Sequence, residues 1–336
     1  MRGKAVTILD VKKLAGVSAS TVSTVLNESN KYVSPELRQR VLDAVRKLNY
    51  RPNLVARSLK REETKSIGLI FPNILSPVMP PLVHTVQKIS QRAGFDTFVA
   101  ITEEDVAKER AVINNMLAKR VDGLIICPVM QANYELLLYA NSIVPVILIE
   151  RYVPEMECVV TNNEDTSYRA TRHLIEHGRG RIALINMKSF GSNTRERIDG
   201  YTRAVKEAGL FDQRLIRETD FAGSSAAEIT RQLLRSSTVD AIFATSQSIS
   251  LGIFIAIKQL GKRIPEDIAV FGYDDVPWME AVSPALSTAR QPIAAIASRA
   301  CEALFARLAG KPADSRTVVI DSELLIRQSC GCEAPR

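Results

Sequence analysis

Apolar residues recur along the chain in two different periods, and the change from one to the other divides it. In the first fifty residues the period is helical. Ile8, Val11, Leu14 and Ala15 share one face behind Thr7, a residue suited to capping, and Gly16 then ends the pattern. A second stretch opens at Ser18 and turns Val22, Val25 and Leu26 inward. A third begins at Ser34-Pro35-Glu36, a cap followed by an N1 proline, and repeats apolar residues at Leu37, Val41, Val45 and Leu48. Two short helices across an Ala-Gly-Val turn make a helix-turn-helix, and the third helix closes a small core around it.

Beyond Lys65 the pattern changes to short β-branched runs separated by amphipathic stretches of 10–18 residues. The strands expected are Ser66–Phe71, Thr97–Ile101, Gly123–Val129, Val144–Glu150, Cys158–Asn162, Arg181–Asn186, Ala241–Ser246, Ile268–Tyr273, Leu286–Arg290 and Thr317–Leu325. The helices between them are Pro81–Arg92, Ala107–Lys119, Ser167–His177, Arg195–Ala208, Ala226–Leu234, Ser248–Leu260 and Ile293–Leu308. Continuous apolar strands with interposed helices imply parallel sheets covered on both faces. The pattern runs twice and breaks around Thr161, so the expected fold class is α/β, two doubly wound lobes behind a three-helix head.

Charge sharpens that division. The chain of 336 residues carries a formal +7, but residues 1–65 hold 14 Lys and Arg against six Asp and Glu, whereas the remainder holds 30 against 31. One fifth of the molecule is therefore at +8 and the rest is nearly neutral, which points the head towards a polyanion. Taken alone, three amphipathic helices are as consistent with a bundle that never touches DNA; the localised charge shifts the reading towards DNA.

Several classes are disfavoured. No apolar run approaches the roughly 18–20 residues that span a bilayer, and Met1–Asp10 lacks the apolar core of a secretory signal, so a cytoplasmic protein without a membrane partner is expected. The five cysteines form no C-x-x-C pair, and Cys330-Gly331-Cys332 reads as a polar tail. His173 and His177 lie one helical turn apart, but the sequence offers no third ligand beside them. No phosphate-binding glycine loop, G-x-S-x-G elbow or other catalytic set is present. Neither a metal, a cofactor nor an enzymatic activity is expected.

Within the head, Ile8-x-Asp10-Val11-x-x-Leu14-Ala15-Gly16-Val17-Ser18-x-Ser20-Thr21-Val22-Ser23-x-Val25-Leu26-Asn27 closely resembles the start of the lactose-repressor (LacI/GalR) family of transcription regulators. Val33-Ser34 and Leu48-Asn49-Tyr50-Arg51-Pro52-Asn53-x-x-Ala56-Arg57-Ser58-Leu59 continue the match. The resemblance implies that Ala19, Ser20 and Thr24 meet base edges while Thr7, Ser18, Thr21, Ser23 and Asn27 meet phosphates. The family commonly has Arg where Thr24 stands; Arg grips guanine with two bonds and Thr cannot, so an unusual half-site is expected. It further implies a hinge helix with Asn53, Ala56 and Arg57 at the DNA and Leu59 wedged into the minor groove.

The match extends through Lys65-Ser66-Ile67-Gly68-Leu69-Ile70, Val121-Asp122-Gly123-Leu124-Ile125, His173-Leu174-Ile175-x-His177-Gly178, Arg195-x-Arg197-x-x-Gly200-Tyr201, Ile264-Pro265-Glu266-Asp267-Ile268-Ala269-Val270-x-Gly272-Tyr273-Asp274-Asp275 and Pro284-x-Leu286-Ser287-Thr288. It implies a core similar to periplasmic sugar-binding proteins, whose chain crosses between lobes near Thr161, Gln291 and Asp321. The domains expected are then 1–50 for the head, 51–64 for the hinge, 65–161 with 291–320 for the first lobe, and 162–290 with 321–336 for the second. By the same resemblance Asn73, Ser76, Val78, Met79, Glu150, Arg197, Phe221, Ser246, Asp274 and Gln291 line an effector cleft between the lobes.

Three departures bear on the effector. Ser246-Gln247 stands where Asn-Asp is frequent, Ser76-Pro77-Val78-Met79 replaces an aromatic run, and Glu150-Arg151 replaces an Asp. One fewer acid and nearby Arg195 and Arg197 leave a sugar acid open beside a neutral sugar, and a nucleobase or nucleoside corepressor is the alternative. The expectation as a whole is a transcriptional repressor that binds double-stranded operator DNA as a homodimer, under control of a small molecule, most simply a carbohydrate. The chain ends without leucine heptads, which favours that dimer over a tetramer.

Overall fold

The computed structural model describes residues 6–26, 32–50, 63–129, 133–188, 191–220, 224–236, 238–312 and 317–332, and it divides into two compact units, Met1–Thr64 and Lys65–Arg336. The first unit contains α1 (Ile8–Ala15), α2 (Ala19–Leu26) and α3 (Pro35–Lys47). Their ends are closed as the sequence suggests. The Thr7 amide and hydroxyl both donate to Asp10 Oδ2 at 2.8 Å, Ser18 Oγ accepts from Thr21 N at 3.0 Å, and Ser34 Oγ accepts from Leu37 N at 3.4 Å. Gly16 turns α1 into α2 with φ +64°, and a Cβ there would lie 2.8 Å from Arg40 Nη2. That nitrogen donates to Ala15 O at 2.7 Å, so both the conformation and the space require glycine. Val11, Ala15, Val22, Val25, Val41 and Ala44 form the buried core. Leu14 departs from expectation at 45% exposed, because Ala15 takes the buried position beside it.

The second unit holds two six-stranded sheets. In the first, β1 (Ser66–Phe71), β2 (Asp96–Ile101), β3 (Gly123–Ile126), β4 (Val146–Ile149), β5 (Cys158–Thr161) and β11 (Thr317–Ile320) take the order β11-β5-β4-β3-β1-β2, every pairing parallel. Helices α4 (Met79–Arg92), α5 (Val106–Ala118), α6 (Tyr134–Ile143) and α12 (Ile293–Leu308) accompany it. In the second, β6 (Ile182–Met187), β7 (Ile216–Thr219), β8 (Ala241–Ala244), β9 (Ala269–Tyr273), β10 (Ser287–Arg290) and β12 (Glu323–Leu325) take the order β12-β10-β9-β8-β6-β7. Only β12 runs antiparallel to its neighbour. Helices α7 (Asn163–Glu176), α8 (Ser192–Glu207), α9 (Ala226–Ser236), α10 (Gln247–Gln259) and the short α11 (Pro277–Ala281) belong to this half.

Strands β1, β3, β4, β5, β8 and β9 are buried on both faces, which is why they read as unbroken apolar runs. The edge strands β2 and β11 instead mix exposed and half-buried positions. Three elements are absent from the sequence reading: β7 is a polar edge, Ile-Arg-Glu-Thr, α6 carries its apolar residues in a run without clear helical spacing, and α11 is only five residues long. A further difference is that Thr317–Leu325 is two strands in two sheets rather than one. Asp321 and Ser322 break it at a crossing, where Asn162 Nδ2 donates to Asp321 Oδ1 and Asn162 Oδ1 accepts from Ser322 N, both at 2.9 Å. Thr161 Oγ1 in turn donates to Gln291 Oε1 at 3.3 Å. The three passages between the halves are thus bonded to one another.

The tail is also corrected. Cys330 is fully buried, and Ser329 Oγ, which accepts from Ser287 N at 2.8 Å and donates to Val270 O at 2.6 Å, fastens the segment to the second sheet.

Candidate functional site

The head presents a polar face on α2. Ala19, Ser20, Ser23 and Thr24 lie on the side opposite buried Val22 and Val25, each at least partly accessible. Ser18 Oγ contacts Ser20 Oγ at 2.6 Å and Thr21 Oγ1 at 2.8 Å, so these hydroxyls hold one another in place at the helix start. Thr7 sits at the start of α1 with its hydroxyl turned onto Asp10. Short hydroxyl and methyl side chains on an exposed helix end suit close approach to phosphates and thymine methyls rather than a bidentate grip on guanine. Asn27, Asn53, Ala56, Arg57 and Leu59 lie outside the described residues.

The second site forms where the carboxyl ends of both sheets face each other. Pro72, Asn73, Ser76, Val78 and Met79 follow β1, Cys127 follows β3, Glu150 and Arg151 follow β4, Met187 ends β6, Asn193 begins α8, and Arg197, Asp274 and Gln291 complete one cavity of about 70 Å³. Eight of the ten cleft positions inferred from the sequence therefore meet in one place. That volume is small beside the ~300–1,000 Å³ of ordinary small-molecule pockets. The two halves already touch around it, since Tyr152 N donates to Ser192 Oγ at 3.1 Å, so a ligand has to separate them or displace side chains. A larger surface concavity of about 720 Å³, around Arg181, Asp212 and Arg214, adjoins the amino ends of β6 and β7, the wrong end of the sheet for ligand binding in this fold class.

Two acids and two guanidiniums dominate the cavity. Glu150 and Asp274 both have left-handed backbone, φ 64° and 67°, and both are buried. Burial pushes the Glu150 carboxyl above the ordinary carboxylate range; Arg197 opposes the shift and the Asp274 charge adds to it. Its Oε1 is buried without a hydrogen-bond partner among the described residues. Burial raises Asp274 as well, opposed by Arg197 and by Gln291, whose Nε2 donates to Asp274 Oδ1 at 2.6 Å. Arg197, 3% exposed, donates from Nε to Asn163 Oδ1 at 2.9 Å and from Nη1 to Thr245 O at 2.8 Å, with its guanidinium 3.8 Å over the Tyr273 ring. Gly200 makes this geometry possible: α7 and α8 pack so closely that a Cβ there would collide with the Glu164 carbonyl.

Arg151 is compensated rather than free. Its Nη1 and Nη2 reach the two Glu104 oxygens at 3.2 and 2.7 Å, and Nη1 also donates to Pro128 O at 2.7 Å. Cys127 nearby is pushed up to about 12 by burial and stays a thiol. Of the remaining inferred residues, Ser246 caps α10, its Oγ accepting from Ile249 N at 3.4 Å, and it does not line the cavity. Phe221 lies outside the described residues. Asp275 points away into an ion pair with Arg327 at 2.8 Å. The sequence reading missed Pro72, Cys127, Met187 and Asn193 and left Arg151 unplaced. Most of these follow or end a parallel strand at its carboxyl end, a positional signal that would have found them.

Comparison with known proteins places the chain in a family. Residues 7–53 match the profile of bacterial regulatory proteins of the lacI family, and residues 171–330 match that of periplasmic binding protein-like domains. The chain is 34% identical over 330 residues to the HTH-type transcriptional repressor PurR of Aliivibrio fischeri, covering 96% of this chain and 98% of that protein. It is 34% identical over 325 residues to the ribose operon repressor of Halalkalibacterium halodurans, covering 96% of each. Among solved structures, the lac repressor dimer bound to operator and the anti-inducer ONPF superposes with a TM-score of 0.86 at 26% identity, covering 97% of this chain and 99% of that one. The regulator CelR in complex with cellobiose gives 0.73 at 28% identity, covering 96% and 99%.

Proposed function

The chain belongs to the LacI family of bacterial regulatory proteins and is a DNA-binding transcriptional repressor under allosteric control by a small molecule; from that premise we propose that its effector is a neutral carbohydrate, held between the lobes by Glu150, Arg197, Asp274 and Gln291. The observation that carries this reading is the unpartnered Glu150 Oε1, a buried acceptor facing the cavity. A sugar hydroxyl is the donor it lacks. Arg197 is held by Asn163 and the Thr245 carbonyl beside two acids, Glu150 and Asp274, and Arg151 is neutralised by Glu104, which disfavours a sugar acid. A nucleobase is the second candidate, since the repressor PurR is among the relatives.

On the DNA side, Ala19, Ser20 and Thr24 read bases, Thr7, Ser18, Thr21, Ser23 and Asn27 hold phosphates, and the hinge residues Asn53, Ala56, Arg57 and Leu59 engage the minor groove of an operator bound by a homodimer. The dimeric lac repressor on its operator supports this arrangement. An effector that favours one lobe spacing changes the separation of two hinges, and so the fit to DNA. No helix among the described residues is long and apolar enough to cross a membrane, in keeping with a protein that works on DNA.

The test is a thermal-shift and calorimetric panel of neutral sugars, sugar acids, nucleobases and nucleosides on the wild type and Glu150→Gln. The reading expects a neutral sugar to raise Tm and Glu150→Gln to weaken it at least tenfold. A response confined to sugar acids or to nucleobases overturns it.

A further inference from the structure

His173 lies in the last turn of α7 and His177 caps its carboxyl end, and in the sequence nothing accompanies them. Folding supplies the missing partner from 155 residues away. Cys332 Sγ lies 3.1 Å from His173 Nε2, and ligand-capable atoms of His173, His177 and Cys332 all fall within 4.8 Å of one another. The two imidazoles stand with ring centroids 4.3 Å apart. His177 Nδ1 is set on the His173 carbonyl oxygen at 2.7 Å, which fixes the ring and leaves Nε2 available. This is the arrangement that ligating histidines commonly use, one ring nitrogen held by a backbone carbonyl and the other free for an ion.

The cysteine is positioned as firmly. Ser329 pins the segment to the second sheet, and Cys330, one residue on, is buried with Ser287 Oγ donating to its Sγ at 3.2 Å. Gly331 then turns back with φ +90°, and a Cβ there would lie 2.7 Å from Arg179 Nη2. Only glycine brings Cys332 over α7 in this way. The thiol of Cys330 also adjoins Cys332 and His173. Two imidazoles and the Cys332 thiol are thus gathered in one spot by two rigid elements, with the Cys330 thiol adjacent.

We propose that this cluster is a site for a soft divalent transition-metal ion of the zinc type, ligated by His173, His177 and Cys332, with Cys330 beside the fourth position. Zn–N of about 2.0–2.1 Å and Zn–S of about 2.3 Å place tetrahedral ligand atoms roughly 3.3–3.8 Å apart. The described side chains need to close by about 1.5 Å at most to reach that spacing from the observed separations. Thiolate with imidazole favours zinc over calcium or magnesium. An occupied site would staple the end of the chain to the helix whose first residue, Asn163, holds Arg197 in the cavity.

The test uses the full-length chain, reduced and stripped by a chelator, titrated with Co²⁺ as spectroscopic probe and then with Zn²⁺. One Co²⁺ per chain is expected, with a thiolate-to-metal charge-transfer band in the near ultraviolet that Cys332→Ser abolishes and Zn²⁺ displaces. His177→Gln, at an exposed ring, is expected to weaken Co²⁺ at least tenfold while leaving the melting of the metal-free protein unchanged. A wild type that melts normally yet shows no thiolate band overturns the proposal. So does an unchanged band in Cys332→Ser, or unchanged affinity in His177→Gln.

Discussion

Glu150 and Asp274 end corresponding strands in the two sheets, β4 and β9, each third in its sheet order, and both turn left-handed into the same cavity. Their surroundings differ. In the second lobe Asp274 is met by Gln291, and its neighbour Arg197 by Asn163, the Thr245 carbonyl and the face of Tyr273. In the first lobe the guanidinium of Arg151 is spent on Glu104, and Glu150 retains an oxygen with no partner among the described residues. A buried polar group without a partner costs stability until something supplies the bond. On the proposed function, the second lobe is a preorganised wall and the first is the half that a ligand would complete.

That contrast can be broken most forcefully at Arg151. Glu104→Gln leaves its guanidinium buried beside a neutral partner, and denaturant unfolding should show a loss of about 3–5 kcal/mol. On the other side, Gly200→Ala forces α7 and α8 apart at the Glu164 carbonyl; about 1–3 kcal/mol of destabilisation is expected from overpacking. Calorimetry should also show it weakening the effector, because Asn163 and Arg197 ride on those helices. Asp274→Asn should preserve the melting temperature, since Gln291 can donate to the new amide oxygen, while effector affinity falls at least tenfold.

Glu150→Gln should change stability by less than either Glu104→Gln or Gly200→Ala, and with the opposite sign. A carboxyl raised in the folded state contributes stability that is complete below its unfolded pKa and lost as pH rises through the folded one. Above the ordinary carboxylate range the buried Glu150 carboxyl therefore costs the ligand-free protein stability, and Glu150→Gln should raise Tm at neutral pH. The gain should vanish as pH falls to the ordinary carboxylate range. A Glu150→Gln protein that melts lower at neutral pH would remove the proposed asymmetry between the lobes.

The sequence made much of this visible for identifiable reasons. Val146–Ile149 and Ala269–Tyr273 are buried on both faces and announced themselves as apolar runs, so the residues just beyond them, Glu150 and Asp274, could be placed at a cleft. Glu104 could not, because its role depends on Arg151 folding back across 47 positions. Nor could the capping by Ser246, which depends on where α10 begins, or the meeting of Cys332 with His173 across 159 positions. Local periodicity carries information about which face is buried; it carries none about which distant polar groups then find each other.

The bonded crossings also govern how the protein is made. The core of the first lobe includes Ile296, Ala297, Ala300, Cys301 and Leu304, and its sheet is bordered by β11 at Thr317–Ile320. A ribosome reaches those residues only after synthesising the five parallel strands of the second lobe. At roughly 5–20 residues per second, the first lobe's sheet then waits many seconds with one face covered only in part, by α4, and one edge unpaired. The lobe translated first is the lobe that cannot be finished until most of the second has emerged.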